Sequence, residues 1–162
     1  MANTSQALHR QSRVRTQEPA SVPWHAEDGQ DLVVVDSTWG VLQPIQCAPN
    51  VPTFGELELI EAVEDGAVLV DSRLPGSRAG VTIPGAVNIP HDQILESTEQ
   101  LDPSRLTVLF CNGPQCPQSP QAIRALLEAG YPAAGLAYYR GGLHDWVTLA
   151  MPVASVSQAH ES

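Results

Sequence analysis

The residues able to do chemistry in this 162-residue chain gather in one short segment, Leu109-Phe110-Cys111-Asn112-Gly113-Pro114-Gln115-Cys116-Pro117-Gln118-Ser119-Pro120. Cys111 directly follows the strongest strand-like run, Leu106–Phe110, and a helix start follows it. A thiol leaving a buried strand towards a helix N-terminus meets unpaired backbone N–H groups and the positive end of the helix dipole. Both favour thiolate, so Cys111 is expected to be an activated nucleophile with a lowered pKa. Gly113 lets the backbone fold closely over the sulfur. Prolines 114, 117 and 120 stiffen the loop but remove N–H donors, so Asn112, Gln115, Cys116, Gln118 and Ser119 must supply them. The bland alternative treats Cys111 as a small buried hydrophobe.

Cys116 is open to two readings. It either resolves an oxidised or sulfur-loaded Cys111, leaving a disulfide, or merely lines the loop. Asp71 and Arg73 could form an ion pair beside the loop, adding positive potential, or simply hold a strand end. Arg140 could supply an anion contact or be a solvated surface residue. Trp146 and Tyr131 read as core. His91 and His144 lack partners at metal-ligand spacing, so neither a metal nor a cofactor is expected. Cys47 has no motif around it and reads as structural.

These residues require a scaffold that brings Asp71 and Cys111 to one edge. Residues 1–30 have no hydrophobic period and read as a disordered arm. Residues 31–50 carry two lead-in strands, Leu32–Val35 and Val41–Ile45, with a turn at 36–40. Thr53 and Glu56 have capping-box spacing, and Leu57, Ile60 and Val63 recur as a helical face that Gly66 ends. Ala67–Val70, Ala86–Ile89, Leu106–Phe110 and Leu136–Tyr139 read as short strands, with a brief helix at His91–Ser97. Ser119 as N-cap and Pro120 as first residue open a helix carrying Ala122, Ile123, Leu126 and Leu127 towards Gly130. Gly141-Gly142 precedes a terminal helix through Trp146, and 154–162 reads as a flexible tail. Strands alternating with helices predict an α/β fold, a mainly parallel sheet covered on both faces. Ligands of such sheets bind beyond the strands' carboxyl ends, where Asp71 and Cys111 fall.

The order Val70-Asp71-Ser72-Arg73, Ile83-Pro84-Gly85-Ala86-Val87-Asn88-Ile89-Pro90, the Cys111 loop, and Arg140-Gly141-Gly142-Leu143-His144-Asp145-Trp146 resembles the rhodanese homology domain over residues 51–153. The resemblance implies a single α/β domain whose loop cysteine, here Cys111, carries sulfane sulfur as a persulfide. It implies a small sulfur-containing anion or a persulfide as donor and a thiol or cyanide as acceptor. Two departures stand out. Active rhodaneses often carry Arg or another polar residue as sixth residue of the loop, where this chain has Cys116, and no Arg lies between Cys111 and Arg124. Related phosphatases need a loop Arg to hold phosphate, so phosphatase activity is not expected. In addition, Gly80-Val81-Thr82-Ile83 stands where the family has Gly-His-Ile. A non-catalytic binding or redox-sensing module is therefore carried as a second reading.

Composition limits the partners. The net charge is -10, and all eight basic residues are Arg. Such a surface repels phosphate backbones and anionic lipid, so neither nucleic acid nor membrane is expected as a partner. No apolar run reaches membrane-helix length, and the polar N-terminus lacks a secretory core, so a cytoplasmic location is expected. Cys47, Cys111 and Cys116 cannot all pair within one chain, which disfavours a disulfide scaffold and leaves thiol chemistry open.

Overall fold

The computed structural model describes residues 42–78 and 80–156, with the backbone of two short strands, β1 (Trp24–His25) and β2 (Val33–Val34), that pair antiparallel. The expected arm and the 36–40 turn otherwise lie outside the described residues, as do Leu32 and Val35 of the first lead-in strand, whose Val33 and Val34 form β2.

The domain begins with β3 (Thr53–Phe54), α1 (Glu56–Glu64) and β4 (Val68–Asp71). It continues through β5 (Val81–Thr82), β6 (Val87–Asn88), a 3-10 turn (His91–Gln93) and β7 (Thr107–Phe110). Helix α2 (Gln118–Glu128), β8 (Leu136–Tyr139), α3 (Gly142–Thr148) and β9 (Ala154–Ser155) complete it. Five strands form one sheet in the order β3-β8-β7-β4-β6, and every pairing in it is parallel. The predicted α/β class with helices on both faces is what the chain adopts.

Alternation along the strands explains the layering. Side chains of a strand point to opposite faces in turn. Val70, Leu109, Leu136 and Tyr138 pack with Ala122, Ile123 and Leu126 of α2. Leu69, Val108, Phe110, Ala137 and Tyr139 face Leu59 of α1 and Leu143, Trp146 and Val147 of α3. Every residue of β7 and β8 is buried, as expected of central parallel strands. Trp146 is core, its Nε1–H donating to the Pro152 carbonyl at 2.6 Å, and Tyr131 packs half-buried against the other cluster. Among the described residues no helix is long and apolar enough to cross a membrane.

Several local expectations are corrected. Residues 42–45 of the second lead-in strand form no strand; they run as an irregular strap held by main-chain contacts. The capping box does not form, because Thr53 lies in β3 and its hydroxyl donates to the Ile45 carbonyl. Gly55 is the N-cap of α1, and Glu56 instead accepts from the Tyr139 hydroxyl at 2.9 Å. The helical face is shifted: Leu57 and Val63 are 73% and 39% exposed, whereas Leu59 is buried. Helix α2 starts before the expected Ser119 N-cap, with Pro117 at the cap and Ser119 inside the first turn. The tail is not free from residue 154, because β9 pairs antiparallel with β5.

Candidate active site

Strands β4 and β7 are neighbours in register, with Asp71 opposite Phe110, so Asp71 and Cys111 emerge side by side at the carboxyl edge. From there the chain turns back tightly, the Cys116 N–H donating to the Gly113 carbonyl at 3.0 Å, and enters α2. The start of α3 roofs this turn. Its Leu143 and His144 N–H groups donate to the carbonyls of Cys111 and Asn112 at 3.0 and 2.8 Å.

Two glycines permit this close approach. Gly113 has Gln115 Oε1 and His144 Cβ at 2.9 and 3.0 Å from where a Cβ would stand. Gly142 has a φ of 62°, and a Cβ there would lie 2.5 Å from the Cys111 carbonyl oxygen.

Asp71 and Arg73 form a fully buried ion pair, closest at 2.6 Å. One carboxylate oxygen accepts from Arg73 Nε at 2.9 Å, and the other accepts from Nη2 at 2.6 Å and from the Thr82 hydroxyl at 2.8 Å. The remaining guanidinium protons reach the Val81 carbonyl at 2.8 Å, the Arg78 carbonyl at 3.4 Å and Asn112 Oδ1 at 3.3 Å. Such a charge pair is tolerated in an interior only when its polar atoms are satisfied, as they are here. The contact to Asn112 places Arg73 directly against the cysteine loop. Thr82 and Val81 sit in β5, so the β5–β9 pairing braces the site from behind.

Arg140 is tied to the strap at residues 42–45. Its Nε and Nη2 both donate to the Gln43 carbonyl, at 3.0 and 2.7 Å, while the Gln43 N–H donates to the Pro114 carbonyl at 2.7 Å. The strap thus crosses the loop and occupies the guanidinium. Cys47 is buried below it, its carbonyl accepting from Arg124 at 3.2 Å.

The two loop cysteines overturn one expectation. Burial, reinforced by the neighbouring Cys116, pushes the Cys111 thiol well above the ordinary range, although the Ser119 hydroxyl and N–H pull the other way. Cys116 is instead lowered to about 7, chiefly by the hydrogen bond from Cys111. Burial opposes that shift, while the N–H groups of Gln118 and Asn112 and the charge of Arg73 support it. The two thiols titrate as one unit that gives up its first proton near neutrality. The Cys111 S–H also has the Cys116 carbonyl within 3.4 Å. The focus of backbone donors predicted for Cys111 is shared with Cys116, because the loop closes both sulfurs into one cage.

A pH prediction follows. Deprotonation of a group lowered to about 7 is nearly complete by pH 8 and fails as pH drops through 7. Alkylation of Cys116 by iodoacetamide, followed by peptide mass spectrometry, is expected to rise with a midpoint near 7. Cys111 should be modified more slowly across that range. Equal rates at both sulfurs, or a midpoint at the ordinary thiol value, would contradict the shared-proton arrangement.

Ser72 was missed as a site residue. Its hydroxyl lies 3.1 Å from that of Ser119, which in turn bonds Cys111. Its place immediately after the β4 carboxyl end was the available signal. Asn88 was missed too; its side-chain amide donates to the carbonyls of Asp71 and Arg73 at 2.9 and 2.8 Å. Of the expected site residues, Asp71, Arg73, Asn112, Gly113, Cys116 and Ser119 converge on Cys111. Pro114 and Gln115 complete the turn, and Gln118 opens α2. Arg140 bonds the strap at Gln43. Among the described residues no three His, Cys, Asp or Glu side chains converge as metal ligands.

Comparisons with known proteins bear on the family and the fold. The profile of the Rhodanese-like domain matches residues 57–149. An HTH-type transcriptional regulator of Mycobacterium tuberculosis is 33% identical over 97 residues, covering 59% of this chain and 42% of the regulator. The chain thus spans less than half the length of that relative. A thiosulfate sulfurtransferase from Pseudomonas aeruginosa superposes with a TM-score of 0.56 at 22% identity, over 66% of this chain and 21% of that one. The rhodanese-like domain of an Anabaena protein gives 0.55 at 22% identity, over 67% and 83%. Reduced CoADR-RHD from Bacillus anthracis gives 0.52 at 28% identity, over 62% and 17%. The two likenesses at 22% identity bear on the fold alone.

Proposed function

The chain belongs to the rhodanese-like domain family, and from that premise we propose that it is a sulfurtransferase working through a Cys111 persulfide in a reducing, cytoplasmic setting. The observation that carries this reading is the position of Cys111: first residue after the buried strand β7, inside a turn that leads into α2.

The reaction begins with the shared proton. The Cys111 proton passes along the sulfur–sulfur hydrogen bond to Cys116, giving a Cys111 thiolate beside a neutral Cys116 thiol. That thiolate attacks the outer sulfur of thiosulfate; the sulfur–sulfur bond breaks and sulfite leaves with its electron pair. A low-molecular-weight persulfide reacts likewise and releases a thiol. The Cys111 persulfide anion is stabilised by the Ser119 donors, while Asp71 and Arg73 hold Asn112 and the strand end in place. Cyanide or a thiol then takes the outer sulfur and restores the Cys111 thiolate.

Cyanolysis tests the reading. Protein with thiosulfate and cyanide should form thiocyanate, and Cys111→Ser should lower the rate by about a thousandfold or more, to background. Activity that survives in Cys111→Ser and vanishes in Cys116→Ser would assign the carrier to the wrong sulfur.

A second reading is a non-catalytic binding or redox-sensing module, favoured by the second thiol in contact with Cys111 and by the regulator relative. Mass spectrometry after mild oxidation separates the two. A Cys111–Cys116 disulfide with no sulfur ever loaded on Cys111 supports sensing, and a gain of one sulfur on Cys111 supports transfer.

A further inference from the structure

Cys111 and Cys116 are 1% and 0% exposed, so any reagent from solution, donor or acceptor, must first work its way into the loop, whereas a group already inside it need not. The strap adds to this, since Gln43 is bonded to the Pro114 carbonyl above the turn. One potential acceptor is already inside. The Gly113–Cys116 turn brings the two cysteines together, with Cys111 Sγ 3.4 Å from the Cys116 carbonyl oxygen. A group held in contact competes at an effective concentration on the order of 10⁵ M or more when well aligned, far above any dissolved thiol. The sixth position of the loop, moreover, offers a thiol where an anion-holding side chain would stabilise a waiting persulfide.

We propose that Cys116 is a second catalytic thiol, which discharges the Cys111 persulfide by attacking its inner sulfur, releases hydrosulfide and leaves a Cys111–Cys116 disulfide. The proposal rests on the Cys111 persulfide reading above and assigns its internal acceptor. Sulfur loading leaves a Cys111 persulfide anion beside a protonated Cys116 thiol. The Cys116 sulfur bonds to the inner sulfur, the persulfide bond breaks, and the outer sulfur departs with its electrons and the Cys116 proton as HS⁻. The outer sulfur is thereby reduced and the two cysteines are oxidised together. Two molecules of a low-molecular-weight thiol then reduce the disulfide, becoming a disulfide themselves, and return both cysteines. The net reaction is the thiol-dependent reduction of sulfane sulfur to sulfide.

The experiment uses the full chain, reduced and freed of thiols, with stoichiometric thiosulfate. Sulfite and sulfide are measured in solution, and the protein is analysed by non-reducing mass spectrometry. Wild type should release one sulfite and one sulfide per chain and end lighter by two hydrogens. Cys116→Ser should release sulfite but no sulfide and retain one extra sulfur on Cys111. Cys116→Ala serves as the second variant should the serine protein fail to fold, and Cys47→Ser should behave as wild type. If wild type keeps its sulfur on Cys111 and releases no sulfide, the role of Cys116 is overturned while the transfer reading survives. If neither protein releases sulfite or gains sulfur, both readings fall.

Discussion

Arg73→Met is expected to lower the unfolding free energy by about 3–5 kcal/mol, the range for removing one partner of a buried ion pair. Both members of this pair are fully buried. Without the guanidinium, the Asp71 carboxylate keeps the Thr82 hydroxyl and the Arg73 main-chain N–H, while two charge-assisted bonds disappear. Asn112 loses its tie to the strand end, and the Val81 and Arg78 carbonyls lose a donor. Arg73→Lys retains the charge but not the planar fork, so it should fall between wild type and Arg73→Met. Urea unfolding at neutral pH is the measurement. A loss below about 1 kcal/mol in Arg73→Met would place the pair among weakly contributing surface bridges and contradict its burial.

Gly142→Ala should be at least as damaging, for two separable reasons. The φ of 62° costs an L-residue about 1–2 kcal/mol. The added methyl would also stand 2.5 Å from the Cys111 carbonyl oxygen, 2.7 Å from the Gly113 nitrogen and 2.9 Å from the Asn112 carbonyl carbon. These are backbone atoms of the thiol loop, with no side-chain end to swing aside. A total above about 4 kcal/mol, or a displaced loop, is therefore expected. Gly66→Ala isolates the first contribution, since Gly66 has a φ of 97° with nothing within 4 Å of an added Cβ. Thermal unfolding of the two variants should show Gly142→Ala far below Gly66→Ala. If Gly142→Ala folds by moving the loop, iodoacetamide should reach Cys116 faster than in wild type. Indistinguishable stabilities, with unchanged Cys116 reactivity, would contradict the close packing of α3 on the loop.

Much of the scaffold was legible because short apolar runs bounded by Gly, Asp and Pro carry their own punctuation. The run ending at Phe110, the run Ala67–Val70 and Leu136–Tyr139 all became sheet strands, the second extended to Asp71, and together they put Asp71 and Cys111 at one edge. The failures share a physical cause. Thr53 and Glu56 matched a local motif, but each found a distant partner, the Ile45 carbonyl and the Tyr139 hydroxyl, that only the folded chain supplies. The strap contributes only main-chain groups to its bonds with Pro114, Arg140 and Thr53, so its own side chains leave no signature. The β5–β9 ladder is too short to impose a visible alternation. For the α1 face, spacing alone selected Leu57, Ile60 and Val63, although packing set the helix rotation around Leu59. The thiol expectation treated Cys111 singly, whereas the folded loop sets Cys116 beside it, and a proton shared between two sulfurs belongs to neither alone.

The strand order also sets a sequence of events during synthesis. Thr53 of β3 pairs with Tyr138 of β8, so one of the first strands of the domain to emerge from the ribosome must wait for one of the last. Parallel pairings of this kind close long loops and form slowly. The cover of the thiol cage comes later still, because Leu143 and His144 of α3 supply its roof. A growing chain therefore carries Cys111 and Cys116 unsheltered until nearly the whole domain has emerged, and the cage that governs their reactivity is among the later parts of the domain to be built.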